Sequence, residues 1–188
     1  MDWEQLEACV AECARCRLCE RRKHTVLGEG NRKGRIMLVG EGPGAQEDEQ
    51  GRPFVGAAGQ LLDKMLAAIS LSRDAVYITN VVKCRPPGNR NPLPEEREAC
   101  LPYLRCQTKL IRPRMIVCLG TVAAQTVIGP EARISRVRGQ FVERKGFILT
   151  GTYHPAALLR DDRLKVDAWH DLQAIARRAA AWEETDEG

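Results

Sequence analysis

The sequence predicts an α/β fold, with a mostly parallel sheet covered by helices on both faces. Short unbroken apolar runs such as RIMLVG (35–40) and MIVCLG (115–120) read as strands buried on both sides. These runs alternate with longer stretches of helical periodicity. Each run also ends directly in an unusual loop, and parallel sheets place their ligands at the carboxyl ends of their strands.

The elements follow in order. Residues 2–19 read as a helix, with Asp2 as N-cap and Trp3, Leu6 and Val10 on one stripe. After the 35–40 strand, GAAGQLLDKMLAAI (56–69) is helical, with Leu61, Leu62, Met65 and Leu66 spaced for burial. AVYITN (75–80) is a second strand, followed by a Pro-, Gly- and Asn-rich loop from Cys84 to Pro94. Glu95 to Ile111 is helical with an interruption expected near Pro102. The 115–120 run is a third strand, and Thr121 starts a short helix. Residues 140–143 and 147–152 flank Lys145-Gly146 as a hairpin or neighbouring strands. Residues 164–182 form a closing amphipathic helix and 183–188 a frayed tail. Residues 1–188 read as a single domain, without repeats or low-complexity segments.

Bulk properties narrow the functional classes. Apolar residues at 44% and aromatic residues at 5% are an ordinary globular composition. A net charge of +4 permits a polyanion partner without requiring one. No apolar run reaches the roughly 18 residues of a membrane span. The opening MDWEQLE is acidic and amphipathic, unlike a signal peptide, so a cytoplasmic protein is expected.

Eight cysteines in a reducing compartment point to metal rather than disulfides. Cys13 and Cys16 form a C-x-x-C pair, and Cys19 offers a second register. Cys84 and Cys100 could complete a four-thiolate set, which suits zinc or a four-iron cluster alike. Cys118 in its apolar run, with Cys9 and Cys106, reads as an inert buried thiol.

The stretch GEGPGAQEDEQGRPFVGAAG (40–59) loosely fits a dinucleotide-binding turn, but its chemistry argues otherwise. Pro43 supplies no N–H to a phosphate, and Glu41, Glu47, Asp48 and Glu49 would repel one. The following strand ends Ile78-Thr79-Asn80, without the acidic residue that grips a ribose. The glycines therefore serve a close approach of the backbone to another group. Glu41, fixed at a strand tip, suits water activation or charge stabilisation. Asp48 and Glu49 read as a solvated acidic turn.

Four long motifs, in order, resemble the family 4 uracil-DNA glycosylases, the iron–sulfur branch of that superfamily. They are GEGPGAQEDEQGRPFVGAAGQLL (40–62), YITNVVKCRPPGNRNPLP (77–94), MIVCLGTVAA (115–124) and YHPAALLR (153–160). The resemblance covers residues 13 to 178. It implies a three-layer α/β/α sandwich around a central four-stranded, mostly parallel sheet, and a structural [4Fe–4S] cluster. In that family the first cysteine pair lies a set distance before such a turn, here Gly28-Glu-Gly-Asn31, so the resemblance implies Cys13 and Cys16, with Cys84 and Cys100, as the ligands and leaves Cys19 out.

By the same resemblance the activity is removal of uracil from single- or double-stranded DNA, leaving an abasic site. The base must first be flipped out of the stack. Phe54 would stack on it, Asn80 would read its O4 and N3 edge, and the Gly42 amide would touch it. His154 would hydrogen-bond O2 of the departing anion. Glu41 would position water or stabilise the cationic sugar, with assistance from Glu47, and Asn89 is a weaker catalytic candidate. Leu158 and Leu159 are wedge candidates for the gap in the DNA, with Arg160 near phosphate. Lys83, Arg85, Arg90 and Arg138 are candidate phosphate partners. A monomer associated with the nucleoid is expected, without nicotinamide or flavin.

Three other readings compete. A relative that traps uracil-DNA covalently needs a histidine in an inserted basic loop, which RPPGNRNP after Cys84 lacks. An iron–sulfur electron carrier explains the cysteines but not Phe54, Asn80 and His154. A zinc-stapled nucleic-acid module would have no active site.

Overall fold

The structure, a computed structural model, describes residues 1–186. Its sheet has six strands: β1 (Glu29–Gly30), β2 (Ile36–Gly40), β3 (Tyr77–Asn80), β4 (Met115–Leu119), β5 (Val142–Arg144) and β6 (Phe147–Thr152). The order is β1-β3-β2-β4-β6-β5. The inner four strands are parallel, with Leu38 opposite Ile78 and Val117, and Val117 opposite Thr150. These four are the expected sheet. The two additional strands are short antiparallel edges, β1 on β3 and β5 on β6. β1 is two residues long, too short for its sequence to show strand periodicity.

Alternation along each buried strand divides the core. Met37, Val39, Ile116 and Cys118 face one side of the sheet. There they meet α1 (Trp3–Ala11), α4 (Pro94–Ile111), α5 (Thr121–Val127) and α6 (Ile134–Val137) through Leu6, Val10, Leu104, Ala123 and Ile134. Ile36, Leu38, Val117 and Leu119 face the other side, under α3 (Ala57–Ala68) and α8 (Leu164–Asp186), through Leu62, Leu66 and Ile175. The result is an α/β/α sandwich. Two short helices complete it, α2 (Ala45–Gln50) and α7 (Pro155–Arg160).

Several expectations need correction. The helix expected over residues 2–19 stops at Ala11, and Cys13 to Cys16 lie in a bend before a short 3₁₀ turn, Arg17–Glu20. Asp2 does cap it, accepting from the Gln5 N–H at 2.9 Å. Helix α4 runs unbroken through Pro102. Pro102 and Glu98 are both exposed, so the carbonyl that loses its partner is open to water. The closing helix continues past Trp182 to Asp186, and 187–188, the end of the expected frayed tail, lie outside the described residues. Among the described residues no helix is long and apolar enough to cross a membrane.

Candidate active site

A cleft of about 650 Å³ opens at the carboxyl ends of the parallel strands. From β2 the chain crosses to β3 on one side and then to β4 on the other, so the cleft sits at a topological switch point. Gly40 ends β2 and delivers Glu41, while Asn80 ends β3. Gly120 follows β4, and the chain leaving β6 reaches His154 two residues later. Glu41, Gly42, Glu47, Phe54, Asn80, Asn89, His154 and Arg160 all line this one cleft.

Two glycines allow close packing beside the cleft. A Cβ on Gly40 would lie 2.4 Å from Asn80 Oδ1 and 2.6 Å from Phe54 Cζ. Gly120 adopts φ +89, and a Cβ there would meet the His154 Cβ at 3.0 Å. Both glycines let neighbouring groups close in, as the glycine content of the loop anticipates.

Phe54 has φ 51, an uncommon conformation for a bulky residue. Two charged groups of opposite sign hold it there. The Arg73 guanidinium donates to the carbonyls of Pro53 at 2.6 Å and Phe54 at 3.0 Å. Glu29 and Asp63 in turn brace Arg73, at 2.7 and 3.0 Å. From the other end, Glu47 Oε1 accepts from the N–H groups of Val55 (2.8 Å) and Gly56 (2.9 Å), and Oε2 from that of Gly44 (3.1 Å). These bonds tie Glu47 to the main chain of the Phe54 loop while the residue still lines the cleft. The Phe54 ring, set this way, stacks on the His154 imidazole, with centroids 5.5 Å apart.

His154 is the N-cap of α7, and its Nδ1 accepts from the Ala156 N–H at 3.1 Å. An accepting Nδ1 carries no proton, so the neutral ring carries it on Nε2. Burial, and then the Arg160 charge, push the His154 pKa down to about 4, against a smaller opposing pull from Glu47. The ring is therefore a neutral donor near pH 7. Burial raises the Glu41 carboxyl above its ordinary range, opposed by Arg160 and Arg97. Asn80 is buried and its Oδ1 has no hydrogen-bond partner. Such an orphan is costly unless something else is meant to meet it.

The four carboxylates of the 40–59 loop thus have four different settings. Asp48, expected as a solvated turn residue, is buried and accepts from the N–H of Lys23 at 2.9 Å. Only Glu49 is exposed, paired with Lys23.

The Uracil DNA glycosylase superfamily model matches residues 27–173. The chain belongs to the uracil-DNA glycosylase superfamily. Relatives place it in the type-4 branch. It is 46% identical to a type-4 uracil-DNA glycosylase of Pyrobaculum aerophilum and 48% identical to one of Archaeoglobus fulgidus, each match covering 92% of both chains. It is 47% identical to the type-4 enzyme of Thermotoga maritima over 81% of this chain and 80% of that one.

Two further regions of this superfamily member bear on the expected site. Helix α7 carries both leucines, but only one reaches solvent. Leu159 is 50% exposed. Leu158, expected as a second wedge, is 2% exposed and packs with Met65, Ala168 and Leu172, so it cannot enter DNA without leaving the core. Asn89 lies at the cleft rim, exposed, with its Oδ1 accepting from Arg85 Nε at 2.8 Å. Lys83 is buried and Arg138 is bound to Asp171 at 3.1 Å, so neither is a free phosphate partner. Arg90 pairs with Glu96 at 2.7 Å.

Cys13, Cys16, Cys19, Cys84 and Cys100 line a second, smaller cavity between the bend after α1 and the start of α4. Arg22 Nη1 donates to Cys84 Sγ, and the Lys83 N–H donates to Cys100 Sγ, both at 3.3 Å. Burial pushes the Cys84 thiol up to about 11. Among the described residues no three His, Cys, Asp or Glu side chains converge as ligands of a single metal ion. Cys118 is buried as expected; Cys9 is exposed and Cys106 partly so, because their places on α1 and α4 look outward.

Arg73 had no sequence signal. It lies in the short connection before β3, and its role depends on a loop nineteen residues earlier meeting it in space.

Proposed function

We propose that this chain is a monofunctional uracil-DNA glycosylase of DNA repair, flipping uracil from DNA and hydrolysing its N-glycosidic bond. The observation that carries the reading is the unpartnered Asn80 Oδ1, buried in the same cleft as the Phe54–His154 ring pair. The side-chain amide can accept from uracil N3–H and donate to O4, whereas cytosine presents the opposite polarity.

The flipped base lies on Phe54 with its O2 toward His154. As the C1′–N1 bond breaks, its electron pair leaves with uracil and negative charge grows on O2. The Nε2–H of the neutral imidazole donates to that oxygen, and a donor aimed at developing charge is worth about 2.7–4 kcal/mol. Glu41 orients water toward C1′ and takes its proton; a raised pKa makes it a better base. Glu47 and Arg73 hold the Phe54 loop, and Asn89 stays at the rim. Leu159 fills the gap left in the duplex, beside Arg160 at a phosphate.

Cys13, Cys16, Cys84 and Cys100 would hold a [4Fe–4S] cluster. Directed N–H groups on two of these sulfurs suit anionic ligands. All four line one cavity, and the resemblance to the iron–sulfur branch favours a cluster there over zinc. The cluster would supply cohesion, tying the segment after α1 to the loop after β3. The protein acts as a monomer in the cytoplasm, at the nucleoid.

The test is incubation with a uracil-containing oligonucleotide followed by alkali, beside iron analysis of the same sample. Strand cleavage at uracil with iron bound is expected. An iron protein that leaves every uracil in place would overturn this reading and favour the electron carrier.

A further inference from the structure

Between the cysteine cavity and the base cleft lies one side chain that neither site's chemistry uses. Lys83 is fully buried, and its ammonium donates to Thr79 Oγ1, the Asn80 carbonyl and Gln107 Oε1, each at 2.7 Å. These three acceptors satisfy all three N–H donors of the ammonium. All are neutral oxygens. Gln107 is itself fixed, donating to the Leu27 carbonyl at 2.8 Å and the Tyr77 hydroxyl at 3.0 Å.

The main chain of Lys83 faces the other way. Its N–H donates to Cys100 Sγ at 3.3 Å, and its neighbour Cys84 accepts from Arg22. One residue therefore touches the cysteine site with its backbone and the tip of β3 with its side chain. Asn80 needs such a hold. With its Oδ1 unpartnered, the aim of its amide is set by the main chain beneath it. The ammonium grips that main chain at the Asn80 carbonyl.

We propose that Lys83 is a positioning residue: braced against the cysteine segment, it fixes the backbone from which Asn80 reads the base. The inference rests on Asn80 reading uracil, as proposed above. A hydrogen bond to a charged group is worth about 1.5–3 kcal/mol, so its loss should cost roughly ten- to a hundredfold in rate.

The test uses the full-length, iron-loaded protein and a double-mutant cycle. Lys83→Met keeps the apolar stem and removes the donors. Iron content and visible absorbance should match the parent protein, while kcat/KM on a uracil-containing oligonucleotide falls roughly ten- to a hundredfold. In an Asn80→Ala background the same substitution should cost nothing further. If Lys83→Met does not fold, Gln107→Leu removes one acceptor from the far side of the network and should show the same coupling to Asn80. Full excision by a folded Lys83→Met protein overturns the proposal, as does an undiminished loss in the Asn80→Ala background. Loss of iron as the sole cause, with activity proportional to iron content, also overturns it. Full excision by Asn80→Ala alone would overturn the base-reading role itself, and Lys83 with it.

Discussion

The His154 imidazole lies against the Phe54 ring, with centroids 5.5 Å apart and planes inclined by 29°. One ring offers a flat apolar face and the other a donor at its edge. Stacking of a base on an aromatic ring is worth about 1–3 kcal/mol. Phe54→Ala should therefore raise KM for uracil-containing DNA roughly ten- to a hundredfold, with a smaller change in kcat, as steady-state kinetics would show.

His154 should leave a mark on stability as well as on rate. Its pKa falls from 6.5 to about 4 on folding. The unfolded chain then binds the extra proton between those values. The stability linked to this group is complete above 6.5 and lost as pH falls toward about 4. Urea unfolding across this range should show a shallower pH dependence for His154→Asn than for the parent chain. The same variant should lose roughly a hundred- to thousandfold in kcat at neutral pH.

Glu41 gives a prediction of opposite chemical sense. Its carboxyl is held above the ordinary value of 4.5 by burial. As a base it must be ionised, so excision should fall as pH drops through that raised value. Glu41→Gln should abolish this limb of the kcat profile and lower kcat by about 10²–10⁴. Its affinity for uracil-containing DNA, measured by anisotropy, should be retained.

The adjacent leucines of α7 separate binding from folding. Leu158→Ala should cost about 2–5 kcal/mol of stability, read by chemical denaturation, because it opens a hole against Met65 and Leu172. Leu159→Ala should leave stability nearly unchanged. Its excision should fall more on duplex than on single-stranded DNA, where no stack has to be filled.

Within the cysteine cavity, Cys84→Ser and Cys13→Ser should reduce bound iron, and Cys19→Ser should not, although all three residues line the same cavity. Iron analysis of the purified variants checks this.

Strands β2 and β4 were legible as unbroken apolar runs, β3 and β6 as strand-forming stretches bounded by turn signals, and the loops because Gly, Pro and Asn mark them. The convergence of Glu41, Phe54, Asn80 and His154 followed from strand ends sharing one rim. What escaped depends on distant partners. Neither the burial of Asp48 nor the hold of Arg73 on Pro53 and Phe54 leaves a local trace. Leu158 and Leu159 are chemically identical, and only the rotation of α7 tells them apart. The end of α1 at Ala11 was hidden because the cysteine bend keeps a helix-compatible composition.

Gly40 lies directly against Asn80 Oδ1 and the Phe54 ring, so even a single methyl there would push the reading amide and the stacking ring apart. A change of specificity toward other damaged bases must therefore leave this one position untouched and work through residues that border the cleft.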